Sequence, residues 1–129
     1  MSSNGPFRIL LVDDEPVVLA LMGRALAEAG YDVLPASNGL EALELAAAAR
    51  PRVDAVITDI QMPQLGGEGL AAALRQVDRH LPILFVSGFN QPAPTLPGPL
   101  LAKPFTPDDL VSAIGALRTA PASGQKASA

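Results

Sequence analysis

The stretch FRILLVDDEPVVLALMGRALAEAG, residues 7 to 30, changes its hydrophobic period partway along. It begins with a six-residue run that is apolar apart from Arg8, as in a short strand. The run breaks at Asp13, Asp14 and Glu15, and Pro16 then suits the first turn of a helix, where no amide donor is needed. Apolar residues follow at 17, 18, 21, 22, 25 and 26, the spacing of a helical stripe, and Gly30 supplies a stop. Residues 7–30 therefore read as one strand followed by one helix.

The same alternation continues along the chain, which is the pattern of a βα repeat with a parallel sheet. Strands are expected at 7–12, 31–36, 53–58, 82–86 and 99–102. A second helix opens at Asn38, where Glu41 three residues on can complete a capping box, and runs to about residue 49. A third follows GGEG (66–69), and the last starts at Thr106 with Pro107 in first position and Asp108 and Asp109 set against the helix dipole. The alanines of LELAAAAR and LAAALR are helix formers that pack closely on the sheet. GFNQPAPTLPGP (88–99) breaks the pattern. Pro92, Pro94, Pro97 and Pro99 each remove an amide donor and clash with a helical turn, so a loop, or at most one turn, is expected where a fourth helix belongs. The folded unit is placed at 7–118, between a disordered leader (1–6) and a small, polar, flexible tail or linker (119–129).

Composition narrows the function classes. A chain of 129 residues suits one domain with a real core. A net charge of −4 and a pI near 4.7 argue against direct nucleic-acid binding, which draws chiefly on Lys and Arg. The absence of cysteine removes disulfides, thiolate zinc sites and thiol nucleophiles, in keeping with a cytoplasmic setting. The first apolar run is too short, and wrongly flanked, for a signal peptide or a membrane insertion. GGEG lacks both the GxGxxG spacing and a Walker lysine, which weakens a nucleotide-binding reading.

Each apolar strand finishes on a polar residue: Asp13 and Asp14 after the first, Asp59 after the third, Ser87 after the fourth and Lys103 at the end of the fifth. Open α/β sheets bind ligands beyond the carboxyl ends of their strands, and the order 2-1-3-4-5 makes strands 1, 3, 4 and 5 neighbours. In that order the five side chains share one cleft. Three carboxylates crowded together repel unless a proton or a cation compensates them. Lys103, the lone formal charge between His80 and Pro107, offers one positive charge, and the remainder suits a hard divalent ion such as Mg2+. A carboxylate can itself attack phosphorus to give an aspartyl phosphate, a reaction that asks mainly for positioning and charge neutralisation. Taken singly, these residues also have plainer readings: a solvated helix entrance, turn residues, a lysine snorkelling from a sheet edge. His80 is assigned no role.

The segments ILLVDDEP, VITDIQMP, ILFVSG and LLAKPF closely resemble the four signature segments of the CheY-like receiver domains of two-component response regulators. The resemblance covers about residues 7–118 and implies a flavodoxin-like, doubly wound, five-stranded parallel sheet in the order 2-1-3-4-5, here with the fourth helix degraded or missing. It implies that Asp59 is the phosphoacceptor and that Mg2+ is held by Asp14, Asp59 and the backbone carbonyl of Gln61, with Asp13 acting largely through water. Ser87 is implied as the switch hydroxyl, Lys103 as the partner of the phosphoryl group, and the Lys103–Pro104 bond as cis. The implied donor is a histidine kinase or a histidine phosphotransfer protein, and no separate substrate is turned over.

The chain departs from that family at several places. Leu100 stands where Tyr or Phe is common, Gly66 where an acidic residue often stands, and the Pro-rich segment where a helix forms a partner or dimer face in many relatives. Gln61, Gly88 and Phe89 fall where side chains govern water access to the acyl phosphate. The expectation is a signalling switch, either a stand-alone receiver or one excised from a larger protein such as a hybrid kinase, with its oligomeric state open. Two alternatives are a Mg2+-dependent phosphatase or phosphotransferase with Asp59 as nucleophile, and a pseudo-receiver that only binds partners. The first lacks a second acid/base or cap in TDIQMP, and the second is disfavoured because every expected active-site group is present.

Overall fold

In a computed structural model that describes residues 6–62, 64–88 and 98–119, strands and helices alternate as β1 (Arg8–Val12), α1 (Pro16–Glu28), β2 (Asp32–Ala36), α2 (Gly39–Ala48), β3 (Ala55–Asp59), α3 (Gly67–Val77), β4 (Ile83–Ser87), β5 (Leu100–Ala102) and α4 (Pro107–Thr119). The strands form one five-stranded sheet in the order β2-β1-β3-β4-β5, parallel throughout. This is the flavodoxin-like order expected from the sequence. Asp59 and Ser87 are the last residues of their strands, whereas the sequence places them just beyond. Residues 1–5 of the expected leader, most of the expected tail, and residues 89–97 of the Pro-rich segment lie outside the described residues. Thr119, expected to open the tail, instead closes α4.

Side chains of period two divide the core between the two faces. Ile9, Leu11, Ile57, Leu84 and Val86 meet Met22 and Leu26 of α1 and Leu110 and Ile114 of α4. Leu10, Val12, Val56, Ile83 and Phe85 meet Ala42 of α2 and Leu70, Ala71 and Leu74 of α3. Strands β3 and β4 are buried at every position, which explains their continuous apolar runs: helices cover both faces of a parallel sheet. Each fully buried Leu, Ile or Phe contributes about 1.5–3 kcal/mol by its removal from water.

The helix ends carry the signals read from the sequence. Pro16 occupies the first turn of α1. At the other end Gly30, at φ 101°, donates to Ala27 O while Tyr31 N donates to Leu26 O, the paired bonds of a Schellman motif. Asn38 Oδ1 accepts from Glu41 N at 2.8 Å, and Glu41 Oε1 accepts from Ser37 N at 2.7 Å, one residue earlier than the simplest capping box. Thr106 and Asp109 cap α4 reciprocally at 2.9 and 3.0 Å. The apolar stripe of α1 is only partly inward: Met22 and Leu26 are buried, whereas Val17 and Leu21 are 70% and 64% exposed.

Candidate functional site

Parallel pairing brings the strand ends level, with Val12 opposite Thr58, Asp59 opposite Val86 and Ser87 opposite Ala102. Asp13 follows β1, Asp59 ends β3, Ser87 ends β4 and Lys103 follows β5. Backbone bonds extend the alignment past the strands: Asp13 N donates to Ala36 O at 3.2 Å and Lys103 N to Ser87 O at 2.7 Å. The peptide bond between Lys103 and Pro104 is cis, as the resemblance implied, and so is that between Arg50 and Pro51, which nothing in the sequence had flagged.

Asp13, Asp14 and Asp59 each present a carboxylate oxygen within 4.8 Å of the others. Asp13 and Asp59 are buried and Asp14 is exposed. Lys103 Nζ lies 3.5 Å from Asp13 Oδ2 and 3.6 Å from Asp59 Oδ2. These are ion-pair distances, longer than strong charged hydrogen bonds. Asp13 Oδ1 accepts from Glu15 N at 2.9 Å, while the buried Asp13 Oδ2 has no hydrogen bond. Gln61 is exposed, and its amide donates to Asp59 Oδ1 at 3.3 Å. Ser87 is buried and its hydroxyl donates to Gly88 O at 3.2 Å, so the donor is engaged with its own loop. Lys103 thus pairs with Asp13 and Asp59, Asp14 brings a third carboxylate oxygen within 4.8 Å of theirs, Ser87 stands at the adjoining strand end and Gln61 is bound through its amide.

Electrostatics marks Asp59. Burial, reinforced by Asp13 and Asp14, raises its pKa above the ordinary carboxylate value, against the opposing pull of Lys103 and the Gln61 amide. Burial alone would lower the Lys103 pKa, but Asp13, Asp59 and Glu15 outweigh it and hold the ammonium charged. One cation therefore serves three acids. A hard divalent ion fits the donor set, which is all oxygen, carries excess negative charge and includes a buried carboxylate oxygen without a hydrogen bond.

Other contributors escaped the sequence reading. A Cβ on Gly67 would lie 2.5 Å from Asp59 O, so glycine is required where the β3–α3 turn folds back on the acid. Thr58, fully buried, donates its hydroxyl to Asp59 O at 3.0 Å. A groove between α1 and α4, with Val18, Leu21, Pro104 and Phe105 on its walls, also takes in Glu15 and Lys103 and so adjoins the acids. Its one sequence-level signal is the run of apolar residues at 17, 18, 21 and 22, wider than a helix needs for its inward face.

Comparison with known proteins agrees with this arrangement. Residues 9–115 match the family model described as the response regulator receiver domain. Response regulator MprA of Mycobacterium sp. (strain KMS) is 38% identical over 127 residues, 92% of this chain and 54% of that protein. The chain thus spans about half the length of the curated relatives it matches. Among solved structures, a response regulator receiver protein from Sinorhizobium medicae WSM419 superposes with a TM-score of 0.79 at 32% identity, covering 89% of this chain and 96% of its own. Response regulator TrrA from Thermotoga maritima, solved in complex with Mg(2+)-BeF, has a TM-score of 0.77 at 32% identity, covering 85% of this chain and 97% of its own. With the sheet order, the acidic strand ends and a family match across nearly the whole folded unit in agreement, the chain belongs to the response regulator receiver domains.

Proposed function

We propose that the chain is a phosphoacceptor switch in a two-component phosphorelay, with Asp59 as the acceptor of a phosphoryl group from a histidine kinase or a histidine phosphotransfer protein. The observation that carries this reading is the buried Asp59 carboxylate, grouped with Asp13 and Asp14 and paired with Lys103 at 3.6 Å. Among the described residues no helix is long and apolar enough to cross a membrane, and the transfer is assigned to the cytoplasm.

An Asp59 oxygen attacks the phosphorus of the donor phosphohistidine. The O–P bond forms as the P–N bond breaks, and the bonding pair returns to the imidazole nitrogen. Asp13, Asp14, Asp59 and the Gln61 carbonyl would hold Mg2+. When bound, Mg2+ supplies positive charge to the phosphoryl oxygens. Lys103, kept protonated by its acidic neighbours, offers a second positive charge close to Asp59. Ser87 must exchange its bond to Gly88 O for one to the arriving phosphoryl group, which links phosphorylation to the loop after β4. The α1–α4 groove gives the donor protein a surface beside the acids. Phosphorylation then biases an equilibrium between two arrangements of the loops, and no other substrate is turned over.

Incubation with Mg2+ and acetyl phosphate, followed by intact mass measurement, tests this. A stoichiometric phosphoryl adduct that is lost in Asp59→Asn is expected. Failure to form it with both acetyl phosphate and the cognate kinase would reduce the chain to a partner-binding module, and catalytic turnover of a phosphoester would make it an enzyme.

A further inference from the structure

The geometry points to Leu65 as a positioning residue for the metal site, seated against the first residue of α2 so that the α2 entrance sets where the β3–α3 turn carries Gln61. This rests on the proposed magnesium site and deepens it.

The contact is unusually close. A Cβ built on Gly39 would fall 2.7 Å from Leu65 O, 2.9 Å from Leu65 Cβ and 3.0 Å from Leu65 Cδ2. Backbone therefore lies against backbone, and Gly39 is buried by it. On the other side Leu65 Cδ1 approaches within 2.9 Å of a Cβ built on Gly69, in the first turn of α3. Leu65 is thus wedged between two helix entrances, and it also packs on the core cluster beneath α2 and α3. The residue before it, Gln64, has φ 70°, a left-handed conformation in which a side chain is disfavoured and which persists only where the surroundings enforce it.

The wall itself is fixed. Asn38 and Glu41 tie the start of α2 to Ser37 and to its own first turn. Ala36, just before them, accepts from Asp13 N at 3.2 Å. The α2 entrance is therefore joined by backbone to one buried acid, Asp13, while its first residue abuts the turn that leaves the other, Asp59. That turn is closed at its base by Gly67 N donating to Ile60 O at 2.9 Å. Between base and wedge lies Gln61, whose amide bonds the Asp59 carboxylate. Moving Leu65 outward drags this segment and opens the distance between the two sides of the metal site. Outer residues that orient metal ligands have such leverage in general.

Mg2+ titration by calorimetry, with the Gln61 amide followed by NMR, tests the assignment. Gly39→Ala forces the backbone of Leu65 to shift and is expected to weaken Mg2+ binding roughly tenfold and to displace the Gln61 resonance. Gly69→Ala meets only the flexible end of Leu65 and should leave affinity within about twofold. Leu65→Ala adds no clash, so it folds even if Gly39→Ala does not, and it too should weaken binding because the turn loses its seat. Leu26→Ala in α1, buried on the opposite face, controls for lost stability and should leave Mg2+ affinity unchanged. Saturable binding in the wild type with unchanged affinity in both Gly39→Ala and Leu65→Ala overturns this role alone. No saturable binding in the wild type overturns the magnesium site and the role with it.

Discussion

Replacing Asp59 by Asn should make the metal-free protein more stable at neutral pH, although it removes a buried ion pair. At an effective dielectric of about 20, two like charges 4.8 Å apart repel by about 3.5 kcal/mol, and an opposite pair at 3.6 Å attracts by about 4.6 kcal/mol. Neutralising Asp59 removes two such repulsions, from Asp13 and Asp14, and forfeits the one attraction to Lys103. The relief is roughly 2 kcal/mol before screening, and the exposure of Asp14 brings it nearer 1 kcal/mol. For a domain of this size that is a rise in Tm of roughly 3–5 °C. The pH dependence has a definite sign. Asp59 has a folded pKa above its ordinary value, mainly through burial. Its protonated form contributes full stability below the unfolded pKa, and that stability is lost as pH rises through the folded pKa. The advantage of Asp59→Asn should therefore be complete near neutrality, fade as pH falls through the raised folded pKa, where wild-type Asp59 takes up a proton of its own, and be gone below the ordinary carboxylate value. Thermal melts followed by far-ultraviolet circular dichroism in chelator, at several pH values, measure this. Excess Mg2+ should reverse the order by stabilising the wild type more, by about 2.7 kcal/mol at a hundredfold excess over Kd. A lower Tm for Asp59→Asn in chelator at neutral pH would refute the claim that repulsion outweighs the lysine.

Lys103→Met should cost about 2 kcal/mol at neutral pH, less than for a fully buried pair because a quarter of the lysine side chain is exposed. Burial lowers the Lys103 pKa but its acidic neighbours raise it further, to a net value above the ordinary one, so its contribution is complete below the unfolded value and is lost as pH climbs through the folded one. Urea midpoints for wild type and Lys103→Met should therefore converge only in the alkaline range, above about pH 10.4. Leu21→Glu places a charge in the α1–α4 groove at an exposed site, so folding and acetyl phosphate labelling should persist while transfer from the cognate kinase slows by tenfold or more, about 1.4 kcal/mol of docking energy. Equal rates from the kinase would remove the groove from donor binding. Asn38→Ala removes the α2 cap and should lower stability by about 1 kcal/mol in denaturant melts.

The fold was legible because its signals are local and agree with one another. Pro16, Asn38 with Glu41, Gly30 and Thr106 with Pro107 each act through one or two backbone groups, and each is found at a helix end in the role its chemistry dictates. Strand ends were less exact. Whether Asp59 or Thr58 closes β3 depends on a bond from Ile60 N to Val86 O, a contact with a residue far along the chain. The outward half of the α1 stripe was invisible for a related reason. Val17 and Leu21 have the same period as Met22 and Leu26, and only the position of α4 decides which of them a neighbour covers.

The acids and the lysine could be read from the sequence because charge among apolar strand ends is conspicuous, whereas the groups that hold them in place are not. Gly39, Gly67 and Leu65 are chemically silent, and their importance lies in how closely backbones approach, which is a property of the assembled fold. A glycine opening a helix reads as a neutral choice in a sequence. In the structure, Gly39 is the point where two connections meet, one leading back through Ala36 to Asp13 and one forward through Leu65 to the turn beyond Asp59. The repulsion among the carboxylates acts on those same connections. Each acid pushes its own loop outward, and Lys103 draws two of them together with a single charge, so the spacing of the site is a balance between charge and backbone contact. A cation that removes the repulsion should therefore also tighten the turn against α2, and the Gln61 amide should report both from one titration.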